Sequence, residues 1–182
     1  MPAYDFIPPD ERELLITVGI ALKTVQVTEL AITTALTIAF HPASQMTLES
    51  LETENEVLRR STLGRLLTVL RQRTEIHPTF EGTLQSFLEH RNRFCHSILV
   101  DPGHSMQTED GRAQLSDFLR VLMDEGTAVL AVMLAAVRAF TDWLEGSTDG
   151  KFQANVTPSA ALDRITPSCE ELAVLLRPKG KT

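Results

Sequence analysis

The chain has 182 residues, with 17 Lys and Arg against 24 Asp and Glu and a formal net charge of −7. That length suits one domain with a sizeable core and a short extension, and 43% hydrophobic with 23% charged residues is the composition of a soluble globular protein. The acidic balance argues against strong non-specific binding to nucleic acid, which needs basic surface, and two cysteines, Cys95 and Cys169, set no disulfide framework and make a reducing cytoplasm the default.

The N-terminus, MPAYDFIPPDE, is acidic and Pro-broken and lacks the basic n-region of a signal peptide. The longest uncharged apolar run, Ala128 to Val137, is too short to span a bilayer, so no membrane association is expected. Strand signals are nearly absent. Asp110-Gly111 and Asp149-Gly150 are not flanked by alternating apolar runs and read as loops.

Helical periodicity marks four segments. The first runs from about Asp10 to Phe40, with Asp10 as cap and Glu13 at the capping-box position. Its apolar stripe is Leu15, Val18, Leu22, Val25, Ile32, Leu36 and Phe40, and its many threonines mean that tertiary packing must hold it. The second runs from about Thr47 to Arg73 on Leu48, Leu51, Leu58, Leu66 and Leu70, with a break or kink expected near Ser61 and Gly64. The third runs from about Thr79 to Val100, where Phe80, Leu84, Phe87, Leu88, Phe94, Cys95 and Ile98 follow the i, i+3, i+4 rule. The fourth runs from about Arg112 to Leu144 and is apolar nearly all round in AVLAVMLAAV, so it is central or packed on both sides, a second subunit included.

Residues 146–158 read as a polar loop, a short helix is expected at about Ser168 to Leu176, and the tail RPKGKT is expected to fray. The fold class is all-α: an antiparallel four-helix bundle over 1–146, with a C-terminal extension over 147–182 that carries the short helix.

Charge is uneven along the chain. Arg59, Arg60, Arg65, Arg71 and Arg73 form a basic block without an acid, preceded by Glu49, Glu52, Glu54 and Glu56. This block is either a solvated helix face or an RNA-binding surface. Two further charges sit where charge is expensive. At about 100° per residue, Arg91 points within about 40° of Phe87 and Phe80 on the third helix, and Glu29 lies nearly in line with Leu22, Val25 and Leu36 on the first. An unpaired buried charge costs several kcal/mol, and the planar guanidinium suits a carboxylate. Glu29 and Arg91 are therefore expected to be close in space or to line one polar cleft. Asn92 and His96, i and i+4 on one edge of the same helix, complete a wedge of guanidinium, amide and imidazole. Imidazole moves protons near neutral pH, and guanidinium binds phosphate bidentately.

The run FLEHRNRFCHS resembles the R-x(4)-H motif of HEPN domains in its Arg-Asn-x-x-x-His form, here Arg91, Asn92 and His96. The upstream TLGRLLTVLR and the FxxxLxxFLexRN pattern also resemble bacterial members of that family. The likeness covers the second and third helices, and the other two by helix pattern only. It implies a four- to five-helix bundle that dimerises with the two motifs face to face, and a metal-independent endoribonuclease of toxin–antitoxin, abortive-infection or CRISPR systems. It further implies that His96 is the general acid/base for attack of a ribose 2′-OH on the adjacent phosphate. Arg91 would stabilise the phosphate, Asn92 would orient the pair, and Glu89 and Arg93 would be secondary. No cofactor is expected, and RNA, a second subunit and an antitoxin or defence component are the expected partners. Other members of the family bind nucleotides or only assemble.

The plainer readings are a structural Arg91–Glu29 ion pair, a His96 bonded to a carbonyl, and a Cys95 in the core. His90, Cys95, His96 and His104 cluster in sequence, but their spacing fits no standard zinc pattern, and no metal is expected. Ser97 beside His96 is no triad, since helix neighbours face apart.

Overall fold

The computed structural model describes residues 8–42, 46–98, 100–147 and 167–179. Among the described residues the fold is all-α apart from one short strand pair. Helix α1 spans Pro9–Thr37, α2 Leu48–Arg59, α3 Leu63–Arg73, α4 Pro78–Ser97, α5 Glu109–Ser147 and α6 Cys169–Leu175. Strands β1 (Thr74–Ile76) and β2 (Leu176–Pro178) pair antiparallel, with Glu75 opposite Arg177.

Local chemistry sets most boundaries. Helix α1 begins one residue earlier than expected, on Pro9. Pro at the first helical position loses no hydrogen bond, because that N–H would be unpaired anyway. Asp10 is therefore not the cap and Glu13 closes no capping box; Asp10 instead sits in the first turn and pairs with Arg112 at 3.1 Å. The expected second helix is two helices. Thr62 accepts from the Arg65 N–H and starts α3 afresh, so the break falls at 60–62, beside Ser61. Thr47 and Ser50 cap α2 reciprocally, and Ser168 and Glu171 do the same for α6.

Helix α5 is the centre of the fold: α1 packs along it, and α4 and α6 pack against it. Leu119, Leu122, Val129 and Met133 are fully buried within this single chain. Gly126 marks the crossing point. A Cβ there would lie 3.0 Å from Thr24 Cγ2 of α1 and 3.1 Å from Phe87 Cε2 of α4, so the three helices converge because this residue has no side chain. Close approach also explains the buried face of α1, which is Ala21, Val25, Thr28, Ala31, Ile32, Ala35 and Leu36. The buried threonine hydroxyls of α1 all have acceptors: Thr33 and Thr37 donate to the carbonyls of Glu29 and Thr33 one turn back, and the single hydroxyl hydrogen of Thr28 has two acceptors in reach, Thr24 O at 2.8 Å and Gly126 O of α5 at 3.0 Å. The expected α1 stripe is thus shifted. Leu15 and Leu22 are exposed, and small residues take their place against α5. Leu48 on α2 and Cys95 on α4 are likewise exposed rather than core. Cys95 lies in the last turn of α4, about 80° round from Phe87 and beyond the covered face.

The C-terminal segment is not frayed through Lys179. Its Leu172 and Leu176 join the main core, and the Lys179 N–H donates to Arg73 O at 2.9 Å. The strand pair escaped the sequence reading because three residues are too few to show alternation. The loop read at 146–158 is overturned at its start, where α5 runs on through Gly146 and Ser147, and the rest of it, like residues 180–182 of the tail, lies outside the described residues. Helices α1 and α5 each contain an 18-residue window of mean hydropathy 1.5 with at most two charges, so both are long and apolar enough to cross a membrane by length and composition. The ten-residue run Ala128 to Val137 understated this, because it stopped at the first charge.

Candidate functional site

The Arg91–Glu29 pairing expected from the helical stripes is present. Arg91 Nε donates to Glu29 Oε1 at 2.6 Å, with 21% of the arginine side chain and 27% of the glutamate side chain exposed. Arg91 Nη1 donates to Asn92 Oδ1 at 3.2 Å. The guanidinium is therefore held from two sides, by α1 and by its own helix neighbour. Its Nη2 has no partner among the described residues. Asn92 and His96 are exposed on α4, and His96 faces solvent, about 180° round the helix from Phe87. The three motif residues thus form an open array: an anchored guanidinium, an amide that orients it, and an imidazole one turn on.

The other edge of α4 is closed. Ser86 Oγ donates to Glu125 Oε1 at 2.5 Å, and His90 Nδ1 meets Glu125 Oε2 at 2.8 Å. Arg93 forms a forked pair with Asp101 and lies over the Phe118 ring at 5.1 Å. His90 meets the edge of that ring, and His104 tilts against it at 4.9 Å. His104 is buried, and its Nδ1 has no hydrogen-bond partner among the described residues. Burial holds its pKa below the usual histidine value, and the nearby Asp101 carboxylate only partly offsets this. The Arg93 guanidinium, helped by the Gly103 N–H, holds the Asp101 carboxyl below the ordinary carboxylate range. Sequence reasoning missed Ser86, Asp101 and Glu125, and met His90 and His104 only as members of a histidine and cysteine cluster weighed for zinc. Only Ser86 and His90 carried a signal, as i, i+4 polar residues on one helix edge.

The secondary candidates do not join the array. Arg93 turns to Asp101 and Phe118, and Glu89 accepts from Gln85 Nε2 at 2.7 Å. Three of the five arginines of the basic block are held in ion pairs. Arg60 pairs with Glu56 and Arg71 with Glu81, both at 2.6 Å. Arg73 pairs with Glu54 and donates to the Leu36 carbonyl at 3.0 Å, covering the C-terminal end of α1. Arg59 and Arg65 remain exposed with side chains unpaired among the described residues. Arg65 lines a cavity of about 600 Å3 together with His41, Glu54 and Arg73, away from the α4 array. Among the described residues, no group of three or more His, Cys, Asp and Glu is placed to hold a metal ion.

No protein-family model matches this chain, and neither the curated proteins nor the solved structures include a similar one.

Proposed function

We propose that this chain is a metal-independent endoribonuclease of the HEPN type, working in the cytoplasm as a homodimer of antiparallel four-helix bundles in a toxin or phage-defence role. The observation that carries the reading is the open Arg91–Asn92–His96 array. Its guanidinium is anchored through Nε and Nη1 yet keeps Nη2 for a phosphate, and His96, five residues on and about 140° round α4 from Arg91, offers an exposed imidazole without a hydrogen-bond partner among the described residues. His96 takes the proton of a ribose 2′-OH as it attacks the adjacent phosphate. Arg91 stabilises the charge that builds on the phosphate oxygens. The second proton-transfer group comes from the two-fold mate, and the leaving 5′-oxygen departs from a 2′,3′-cyclic phosphate. Arg59 and Arg65 are the block's remaining cations for the RNA backbone.

The test is cleavage of RNA by the purified protein, with analysis of product ends. Cyclic phosphate ends are expected, insensitive to EDTA. A second reading, a non-catalytic HEPN-like helical module for protein or nucleotide binding, is favoured by the net charge of −7 and by the ion pairs that occupy Arg60, Arg71 and Arg73. A parent protein that cleaves no RNA, alone or with its antitoxin or defence partner, decides for the second reading.

A further inference from the structure

The segment that joins α4 to α5 is tied down at a cluster of charges and rings. Arg93 Nε of α4 donates to Asp101 Oδ2 at 2.8 Å, and Arg93 Nη2 donates to the same oxygen. The other carboxylate oxygen, Oδ1, accepts the Gly103 N–H at 3.0 Å. A short 3₁₀ turn, Pro102–His104, follows. At its end the His104 side chain is only 4% exposed and tilts against the Phe118 ring of α5 at 4.9 Å. Arg93 lies over that same ring at 5.1 Å. His104 Nδ1 is the one buried side-chain polar atom without a hydrogen-bond partner among the described residues. Asp101 Oδ2 lies 3.9 Å from it, which is beyond hydrogen-bonding distance.

We propose that Arg93, Asp101 and His104 form a pH-sensitive latch, closed while His104 is neutral and opened by its protonation, which frees the Arg93 guanidinium beside His96. One oxygen is contested. Asp101 Oδ2 already takes two N–H groups of Arg93, and a protonated His104 brings it a third donor. Either the imidazolium draws Asp101 over and displaces Arg93, or it leaves the Phe118 ring for water and takes Asp101, three residues back in the same turn, with it. Both routes release Arg93. Burial holds the His104 pKa below its ordinary value; the Arg93 charge adds to this and the Asp101 carboxylate opposes it. The open segment therefore takes up the proton first, and acid shifts the segment from closed to open. The neighbouring charges on the packed elements are committed elsewhere. His90 of α4, at the edge of the Phe118 ring, meets Glu125 of α5, and Arg112 of α5 binds Asp10 and the Met106 carbonyl. Arg93 and His96 are three residues apart and about 60° apart round α4, so they are neighbours on its surface, closer than Arg91 is to His96. A freed Arg93 thus adds a cation for a phosphate held at His96. That use rests on the ribonuclease reading above; the latch itself does not.

Nitrogen relaxation of the Arg93 Nε–H in the full chain, by NMR, tests the latch. In the parent this group is expected to be rigid at about pH 7 and as mobile as that of exposed Arg59 at about pH 5. Asp101 does not titrate in that window, since its ordinary value is 3.8 and Arg93 holds it lower. His104→Phe, whose ring still packs on Phe118 but takes up no proton, is expected to keep Arg93 rigid at both pH values. Asp101→Ala is expected to leave it mobile at both. Where His104→Phe fails to fold, His104→Gln takes its place with the same expectation. An Arg93 that stays rigid in the parent at about pH 5, or one that loosens in the His104 variant as it does in the parent, overturns the latch. The second measurement is binding of a single-stranded 2′-O-methyl RNA, which lacks the attacking hydroxyl. From about pH 7 to about pH 5 its affinity is expected to rise in the parent by about threefold more than in His104→Phe or Arg93→Gln, roughly the worth of one added phosphate contact. An equal rise in all three overturns the role of Arg93 at His96. A parent that binds no RNA at either pH, while Arg93 loosens as described, leaves the latch standing and removes the ribonuclease reading.

Discussion

The two edges of α4 carry similar side chains in opposite states. On one edge, Ser86 and His90 are bound to Glu125 and Arg93 to Asp101, with His90 and Arg93 against the Phe118 ring. On the other, Asn92 and His96 stand in solvent, and Asn92 accepts from an arginine anchored by Glu29. Polar groups that satisfy one another rigidify a fold. Polar groups that are positioned but unsaturated can still accept a ligand. The presence of His and Arg on a helix therefore does not mark a site; what marks it is which of them retain unused hydrogen-bonding capacity.

The sharpest way to break this comparison is to delete the open edge. His96→Ala and Arg91→Ala are each expected to lower RNA cleavage by about 10²- to 10⁴-fold, with the melting temperature of His96→Ala unchanged. Cleavage that persists in His96→Ala would move the chemistry elsewhere.

Deleting the closed edge should do the reverse. Glu125→Ala leaves Ser86 Oγ and His90 Nδ1 without their acceptor and is expected to cost about 1–3 kcal/mol in denaturant unfolding. The folded fraction should keep its cleavage rate. A smaller effect is expected of Glu29→Gln, which retains shape but weakens the hold on Arg91. The expected loss in kcat is about tenfold, or ~1.4 kcal/mol, with KM little changed, because the substrate phosphate still finds the guanidinium.

His104 sharpens the comparison through pH. Its folded pKa is depressed, so the unfolded chain takes up the proton first. The contribution of neutral His104 is complete above its ordinary value of 6.5 and is lost as pH falls below it. Thermal unfolding at pH 7 and pH 5.5 should show a steeper acid loss in the parent than in His104→Leu. Asp101, also depressed, loses its contribution only at lower pH, as its carboxyl protonates. The smallest change is expected at Arg60→Ala, within about 0.5 kcal/mol of the parent, since the exposed Arg60–Glu56 pair is screened by water and salt.

The sequence by itself determined the helical class, the break beside Ser61 and the Glu29–Arg91 pair. These follow from local rules: periodicity, capping, and the cost of a charge on a buried stripe, which forces a partner to exist. Tertiary structure alone decided which face of α1 is the inner one. That helix has large apolar residues on both sides, so periodicity cannot choose between them. The chosen face is the one with Ala21, Thr28 and Ala35, because only small residues let α1 approach α5 at Gly126. The Glu125 network and the β1–β2 pairing were equally closed to a linear reading. Each joins residues far apart in the chain, and only the packed helices bring them within hydrogen-bonding distance.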